Sequence, residues 1–313
     1  MTTTGDQVSR GGEEERRAGR VTVVLLTYNC ARWIERTVRH LKALGVPILA
    51  VDNASDDNTV ALLHRNGVRV IELPANRGAA GRNVGAEAAD TPYVAFCDDD
   101  GWFERDGLDH AVDLLEQHPR LAVVNARILV NDEQRLDPIS REMASSPLRG
   151  DPRLPGTVLL GFMAGAVVVR RAAFLEVGGY DPRFFIGGEE ETLAVPLLRN
   201  GWQLRYVPEV VAHHYPSGAN AAGIRHLGVR NTVTNAWLHR PARRALSWTI
   251  FIARTTRSRR TLLRGLVMVL LDLPWIVRER SVMPDDLDRA LAILERRRRA
   301  ATPSRSRRPG AVW

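Results

Sequence analysis

Four short apolar runs dominate the first third of the chain, and each stops abruptly in polar side chains. They occupy residues 21–26, 47–51, 68–73 and 93–97. They close in Thr27-Tyr28-Asn29, Asp52-Asn53, Asn76-Arg77 and Asp98-Asp99-Asp100. Runs of β-branched and aliphatic residues without polar alternation fit strands buried on both faces. Between them apolar residues recur at helical spacing, as in Ile34, Val38, Leu41 and Leu44, a segment ended by Gly45 and Pro47. Strands alternating with helices imply a mostly parallel sheet covered on both sides, and ligands of such sheets sit beyond the carboxyl ends of the strands. All four polar clusters fall at that edge.

The last cluster constrains function most. Three adjacent carboxylates repel one another, and the cluster is tolerable where a hard divalent cation, with the phosphates it carries, supplies balancing charge. Taken alone, such a triplet is more often a solvated turn, so the rest of the chain has to decide. The segment 76–85 is rich in Gly and Ala, which lets backbone approach a ligand closely.

Further along, the pattern predicts a helix over 106–118, a strand over 121–128, a long loop over 131–157, a strand within 162–169 and a short helix over 171–177. Long connections inside compact domains are often lids or binding loops. Glu189-Glu190-Glu191 opens a helix running to about Asn200. Acids in a first turn complement the helix dipole, but three in a row exceed that need. A final strand is expected over 202–208, followed by a segment that carries His213-His214.

Charge divides the chain. Residues 1–220 carry 24 basic against 30 acidic side chains, whereas residues 221–313 carry 20 against 6, so the net +8 belongs to the C-terminal part. That part reads as Arg-studded amphipathic helices over 237–254, 262–277 and 285–299, which pack on the body, lie on an anionic membrane, or do both. The two cysteines, Cys30 and Cys97, form no metal-ligand spacing and no disulfide framework, which fits a reducing, cytoplasmic setting. The first residues lack an apolar signal-peptide core. The expected organisation is a disordered leader over 1–19, a catalytic domain over 20–220, a helical segment over 221–295 and a basic disordered tail over 296–313.

Six signatures in order carry a resemblance to the family 2 glycosyltransferases of the GT-A fold. They are the segment 23–29, Val51-Asp52-Asn53-Ala54-Ser55-Asp56, the segment 76–85, Asp98-Asp99-Asp100, Phe184-Phe185 with Glu189-Glu190, and Pro208 with His213-His214. The resemblance implies a Rossmann-like sheet with a C-terminal helical appendage and an inverting transfer of sugar from a nucleotide-diphosphate donor. The implied acceptor is a hydroxyl on a cell-envelope or lipid-linked glycan. Donor contacts then fall to Thr27, Tyr28, Asn29, Asp52, Asn53, Arg77, Asn83, Asp98 and Asp99. By the same likeness Asp98 and Asp100 hold Mg²⁺ or Mn²⁺ in a DxD motif, with His214 preferred over His213 as the third ligand. His213 and Glu189 fall on the acceptor side. Glu190 is the implied base, with Glu189 and Glu191 as alternatives, and a modestly buried Glu is expected to stay ionised near neutral pH. A donor-binding protein without turnover and an Arg-rich nucleic-acid binder are the competing readings. The second is disfavoured because the tail has no recognised RNA or DNA module.

Overall fold

The computed structural model describes residues 19–216 and 223–301. Residues 1–18 of the expected leader, residues 217–222, and residues 302–313 of the expected tail lie outside the described residues. The first half is an alternation of β1 (Val21–Thr27), α1 (Ile34–Lys42), β2 (Ile48–Asp52), α2 (Thr59–Arg65), β3 (Arg69–Glu72), α3 (Gly81–Ala88) and β4 (Tyr93–Asp98). A short β5 (Gly101–Phe103) follows at once, then α4 (Arg105–Gln117), β6 (Leu121–Val130), β7 (Arg135–Leu136) and α5 (Pro138–Ala144). The body closes with β8 (Thr157–Val158), β9 (Ala166–Arg170), α6 (Arg171–Glu176), α7 (Glu190–Arg199) and β10 (Gln203–His214).

The main path of the sheet runs β3-β2-β1-β4-β9-β6-β10-β5. Its first four strands are parallel, as the alternation predicts. Beyond them β9 lies antiparallel to both neighbours, and β10 runs parallel to β6, so the second half of the sheet is mixed. Successive side chains of β1 go to opposite faces. Val21, Val23 and Leu25 join Ile34, Val38 and Leu108 on one side, and Val24 joins Phe96, Phe174 and Leu193 on the other. That two-sided burial is why the strands read as unbroken apolar runs.

Three departures from the sequence reading shape the site. The final strand does not stop at Pro208. It shifts register against β6 between Val207 and Val211, which accommodates a residue without an N–H, and continues to His214. The three-residue β5 pairs with that extension, setting Gly101 opposite His214. Within the expected loop, α5 forms because Asp137 caps Ile139 N at 2.8 Å and Pro138 takes the first helical position.

The C-terminal part forms α8 (Arg225–His239), α9 (Ala242–Thr255), α10 (Arg259–Glu279) and α11 (Asp285–Ala301). Trp237 therefore belongs to α8, the helix before the one it was expected to open, with a break at Arg240-Pro241. Residues 296–301, expected in the tail, are the last turns of α11. No helix among the described residues is long and apolar enough to cross a membrane. These helices attach to the body where Phe184 meets Val233, Val269 and Ile276. There Arg230 is nearly buried, donating to Asp272 Oδ2 at 2.5 Å and to the Arg183 carbonyl. Removing the carboxylate leaves that guanidinium buried without a counter-charge. Asp272→Ala is expected to cost about 3–5 kcal/mol, read as a lowered urea midpoint.

Candidate active site

The edge predicted from the sequence is where the polar strand ends converge. Thr27 Oγ1 donates to Asp52 Oδ1 at 2.9 Å, and Asp52 also accepts from the Ser55 hydroxyl at 2.6 Å and the Ser55 N–H at 2.8 Å. Asn53 bridges to the small-residue segment, giving Nδ2–H to the Gly78 carbonyl and accepting from Arg77 N. Asn29 takes a left-handed conformation with φ of 49° and accepts from Asp56 N. Tyr28 and Arg77 are exposed beside this wall. Gly78 is required sterically, because its φ is +56° and a Cβ there would stand 1.9 Å from the Phe185 carbonyl oxygen. The donor-side loop and the loop preceding α7 are thus packed backbone to backbone.

The three carboxylates of the triplet go to three different partners. Asp98 forms an ion pair with Arg82 and presses against the Cα of Gly165, where a Cβ would lie 2.1 Å from its Oδ2. Asp99 turns away from the other donor candidates, accepting from the Trp33 indole at 3.3 Å. Burial, then the charges of Asp100 and Asp98, push it up to about 7. Asp100 faces His214, with Nε2 at 3.4 Å from Oδ1. Burial alone lowers the His214 imidazole, but the Asp100 hydrogen bond and the charges of Asp100 and Asp98 outweigh it, and its pKa is raised.

Two expected site residues are committed elsewhere. His213 points from the face of β10 opposite to His214, its Nε2 is 2.9 Å from Glu104 Oε1, and its ring stacks near Trp102. The alternation of a strand sends neighbouring His residues to opposite faces. Asn83 spends both ends of its amide on the backbone of Tyr180, accepting from its N–H at 2.9 Å and donating to its carbonyl at 2.8 Å. It holds a loop and is not presented to a ligand.

Arg82, one position earlier, escaped the sequence reading. Its side chain is 6% exposed, pairs with Asp98 and lies 5.8 Å from the Tyr180 ring. Burial by itself lowers its pKa, yet the charges of Asp98, Glu189 and Glu190 together push it up. The available signal was a second arginine, after Arg77, inside a segment rich in Gly and Ala.

Across Arg82 lies α7. Glu189, at its N-cap, is buried with Oε2 unpartnered, and Glu191 Oε2 accepts from Asn235 Nδ2 at 2.6 Å. Glu190 and Glu191 line a pocket of about 190 Å³ whose walls include Met143, Leu159, Phe162 and Met163, closed on one side by Leu294 and Arg298 of α11. Arg298 is tied to Glu142 at 2.6 Å. Burial and the charge of Glu189 push Glu190 up to about 8, against hydrogen bonds from its own N–H and from Ala164 N–H and the charge of Arg82. The expectation of a readily ionised Glu is therefore corrected, because the half-buried acid stands beside a like charge.

Among the described residues no group of three or more His, Cys, Asp or Glu is gathered as an all-protein cage for a cation. Asp100 and His214 stand together as a pair, while Asp98 is held by Arg82 a step away. One or two protein donors are what Mg²⁺ or Mn²⁺ takes when substrate phosphates complete its shell, so the pair fits such an ion.

A sheet of this order, with carboxylates at the end of its fourth strand and acids opening a facing helix, is the layout of a GT-A fold. The glycosyl transferase family 2 model matches residues 22–178, half of the chain, and the protein belongs to that family. It is 34% identical over 213 residues to a pre-mycofactocin glycosyltransferase of Mycobacterium tuberculosis (strain ATCC 25618 / H37Rv), an alignment covering 62% of this chain and 43% of that protein. The chain thus spans less than half the length of that relative. With an N-acetylglucosaminyl-diphospho-decaprenol L-rhamnosyltransferase of the same organism it shares 27% identity over 256 residues, 69% of this chain and 83% of the relative. Among solved structures, the mannosyltransferase PcManGT from Pyrobaculum calidifontis, in complex with GDP-Man and Mn²⁺, superposes with a TM-score of 0.57 at 18% identity over 95% of this chain and 88% of that one. At that identity the likeness is one of fold.

Asp99 supplies a test of the site's electrostatics. Its folded pKa of about 7 lies above the ordinary 3.8, so its ionisation costs stability as pH rises through that window. In metal-free buffer Asp99→Asn is expected to melt at a higher temperature than the wild type at pH 8. The difference is expected to close below pH 4 or so, where both forms are neutral.

Proposed function

We propose that the protein is an inverting, metal-dependent glycosyltransferase that moves a sugar from a nucleoside-diphosphate donor to an acceptor hydroxyl. The observation that carries this reading is the ion pair of the buried Arg82 with Asp98, placed near enough to the Glu189-Glu190 pair for their charges to act on it. It sets a donor anchor and a candidate base against one fixed cation. The wall made by Thr27, Asp52 and Asn53, with Tyr28, Asn29 and Arg77 beside it, receives the base and ribose. Asp98 faces the ribose and diphosphate, and Asp100 with His214 holds Mg²⁺ or Mn²⁺. That ion supplies neutralising charge for the departing diphosphate.

Glu190 is the base. It lines the pocket, whereas Glu189 does not and Glu191 is engaged by Asn235. Glu190 takes the proton of the acceptor hydroxyl as that oxygen bonds to the anomeric carbon and the bond to the diphosphate oxygen breaks, with inversion. A pKa near neutrality matches a base to its task better than an ordinary carboxylate does. The apolar pocket walls exclude water that would otherwise compete as acceptor.

The named relatives support a cell-envelope or lipid-linked glycan as the acceptor, and the basic helices over 221–299 support an anionic membrane surface beside it. Residues 20–220 form the catalytic unit in this reading, and the helical segment that follows borders the acceptor pocket through α11.

Three measurements test it. Glu190→Gln is expected to lower turnover by about 10²–10⁴ while donor affinity stays within a few-fold. In the wild type kcat/KM is expected to rise with pH towards a plateau above about 8, because only the ionised Glu190 accepts the proton. Equal loss of binding and turnover in the variant would reject Glu190 as base. Titration of a nucleotide-sugar panel should give binding to one or a few donors that weakens when EDTA removes Mn²⁺. No binding to any donor with Mn²⁺ present would sink the enzyme claim.

A further inference from the structure

Helix α10 is apolar on two sides. One side, with Gly265, Val269 and Ile276, packs against α8 and Phe184. The other carries Leu263, Val267, Leu270, Leu271 and Val277, each between 45% and 75% exposed. Their spacing puts them on one outward stripe about 20 Å long. Among the described residues, the exposed large apolar side chains other than Tyr28 all lie between residues 246 and 293. A stripe of this kind marks an interaction surface.

Charge on the same helix indicates the occupant. Arg259, Arg260 and Arg264 stand exposed at its start and Arg278 at its end. Of its two acids, Asp272 faces inward to Arg230, and Glu279 sits at the exposed end between Arg183 and Arg278. The first turn holds no acid, so Arg259 and Arg260 sit where the helix dipole disfavours cations. Stability of the helix does not account for them. A second copy of the chain fits poorly, since parallel pairing sets like on like and antiparallel pairing offers Arg259 and Arg260 a single acid, Glu279, already held by Arg183 and Arg278. A surface of anionic lipid satisfies both features, receiving apolar side chains between cations that meet phosphate. The helix is not apolar enough to cross.

We propose that α10 lies flat on an anionic membrane, with Leu263, Leu270, Leu271 and Val277 entering the boundary between headgroups and acyl chains, and Arg259, Arg260 and Arg264 paired with lipid phosphates. This gives the membrane partner of the reading above a defined surface, and it stands whether or not Glu190 is the base.

The test is co-sedimentation of the full chain with vesicles of phosphatidylcholine alone or mixed with phosphatidylglycerol, with donor binding measured on the same samples. The wild type is expected to pellet with the anionic vesicles, less so as salt rises. Leu270→Glu with Leu271→Glu is expected to lower partitioning by about 100-fold, and Arg259→Gln with Arg260→Gln by about tenfold or more. Both variants should keep the wild-type melting temperature and donor affinity, because all four side chains point to solvent. Failure of the wild type to pellet, or pelleting of the Leu variant equal to wild type, would overturn the inference. So would a stable wild-type dimer that the Leu variant dissociates. A wild type that binds donor but not anionic vesicles rejects this inference alone, and a wild type that binds vesicles but no donor rejects the catalytic reading alone.

Discussion

The site depends on one buried cation. Arg82 pairs with Asp98, and the charges of Glu189 and Glu190 also act on it, so that without it three carboxyl groups would be left facing one another. A buried guanidinium is itself costly, so the cluster holds only as a set in which each charge offsets its neighbours. This links α3, β4 and α7, elements far apart in sequence, into one electrostatic unit. It also keeps the Asp98 carboxylate aimed, since Gly165 leaves room for it and Arg82 fixes it there.

The second constraint is the way β10 is prolonged. Pro208 breaks the ladder, and the shift of register after Val207 lets the strand resume beside Arg127. The extension then finds β5, and the antiparallel pairing of Gly101 with His214 sets the imidazole against Asp100. A regular strand ending at Pro208 would have left both His residues in a loop. Because they alternate, only His214 reaches the acidic edge, and His213 serves the packing around Trp102 and Glu104.

Opposite the donor edge, the pocket beside Glu190 is shared between body and appendage. Helix α5 and the segment around Leu159 and Phe162 form one wall, and α11 closes another through the Arg298–Glu142 pair. The helical segment therefore borders this pocket, and the outward stripe of α10 belongs to the same segment. Chemistry and placement would then be coupled through one set of helices docked on Phe184 and Arg230.

Much of this was legible in the residues. The unbroken apolar runs and their polar ends determined a parallel half-sheet with Thr27, Asp52 and Asp98 at one edge, because burial on both faces and termination at a surface leave a local pattern. The acids opening α7 were legible for the same reason. The partners of individual side chains were not, because they are set by pairings between distant segments. Nothing local separates His213 from His214, marks Asn83 as a clamp on Tyr180, or turns Asp99 towards Trp33. Nor does the second of two arginines in a segment rich in glycine and alanine disclose that it is the one buried against Asp98. The sequence determined which residues reach the edge of the sheet; only the tertiary structure decided which charges face each other there, since burial and proximity, unlike periodicity, exist only once the chain is folded.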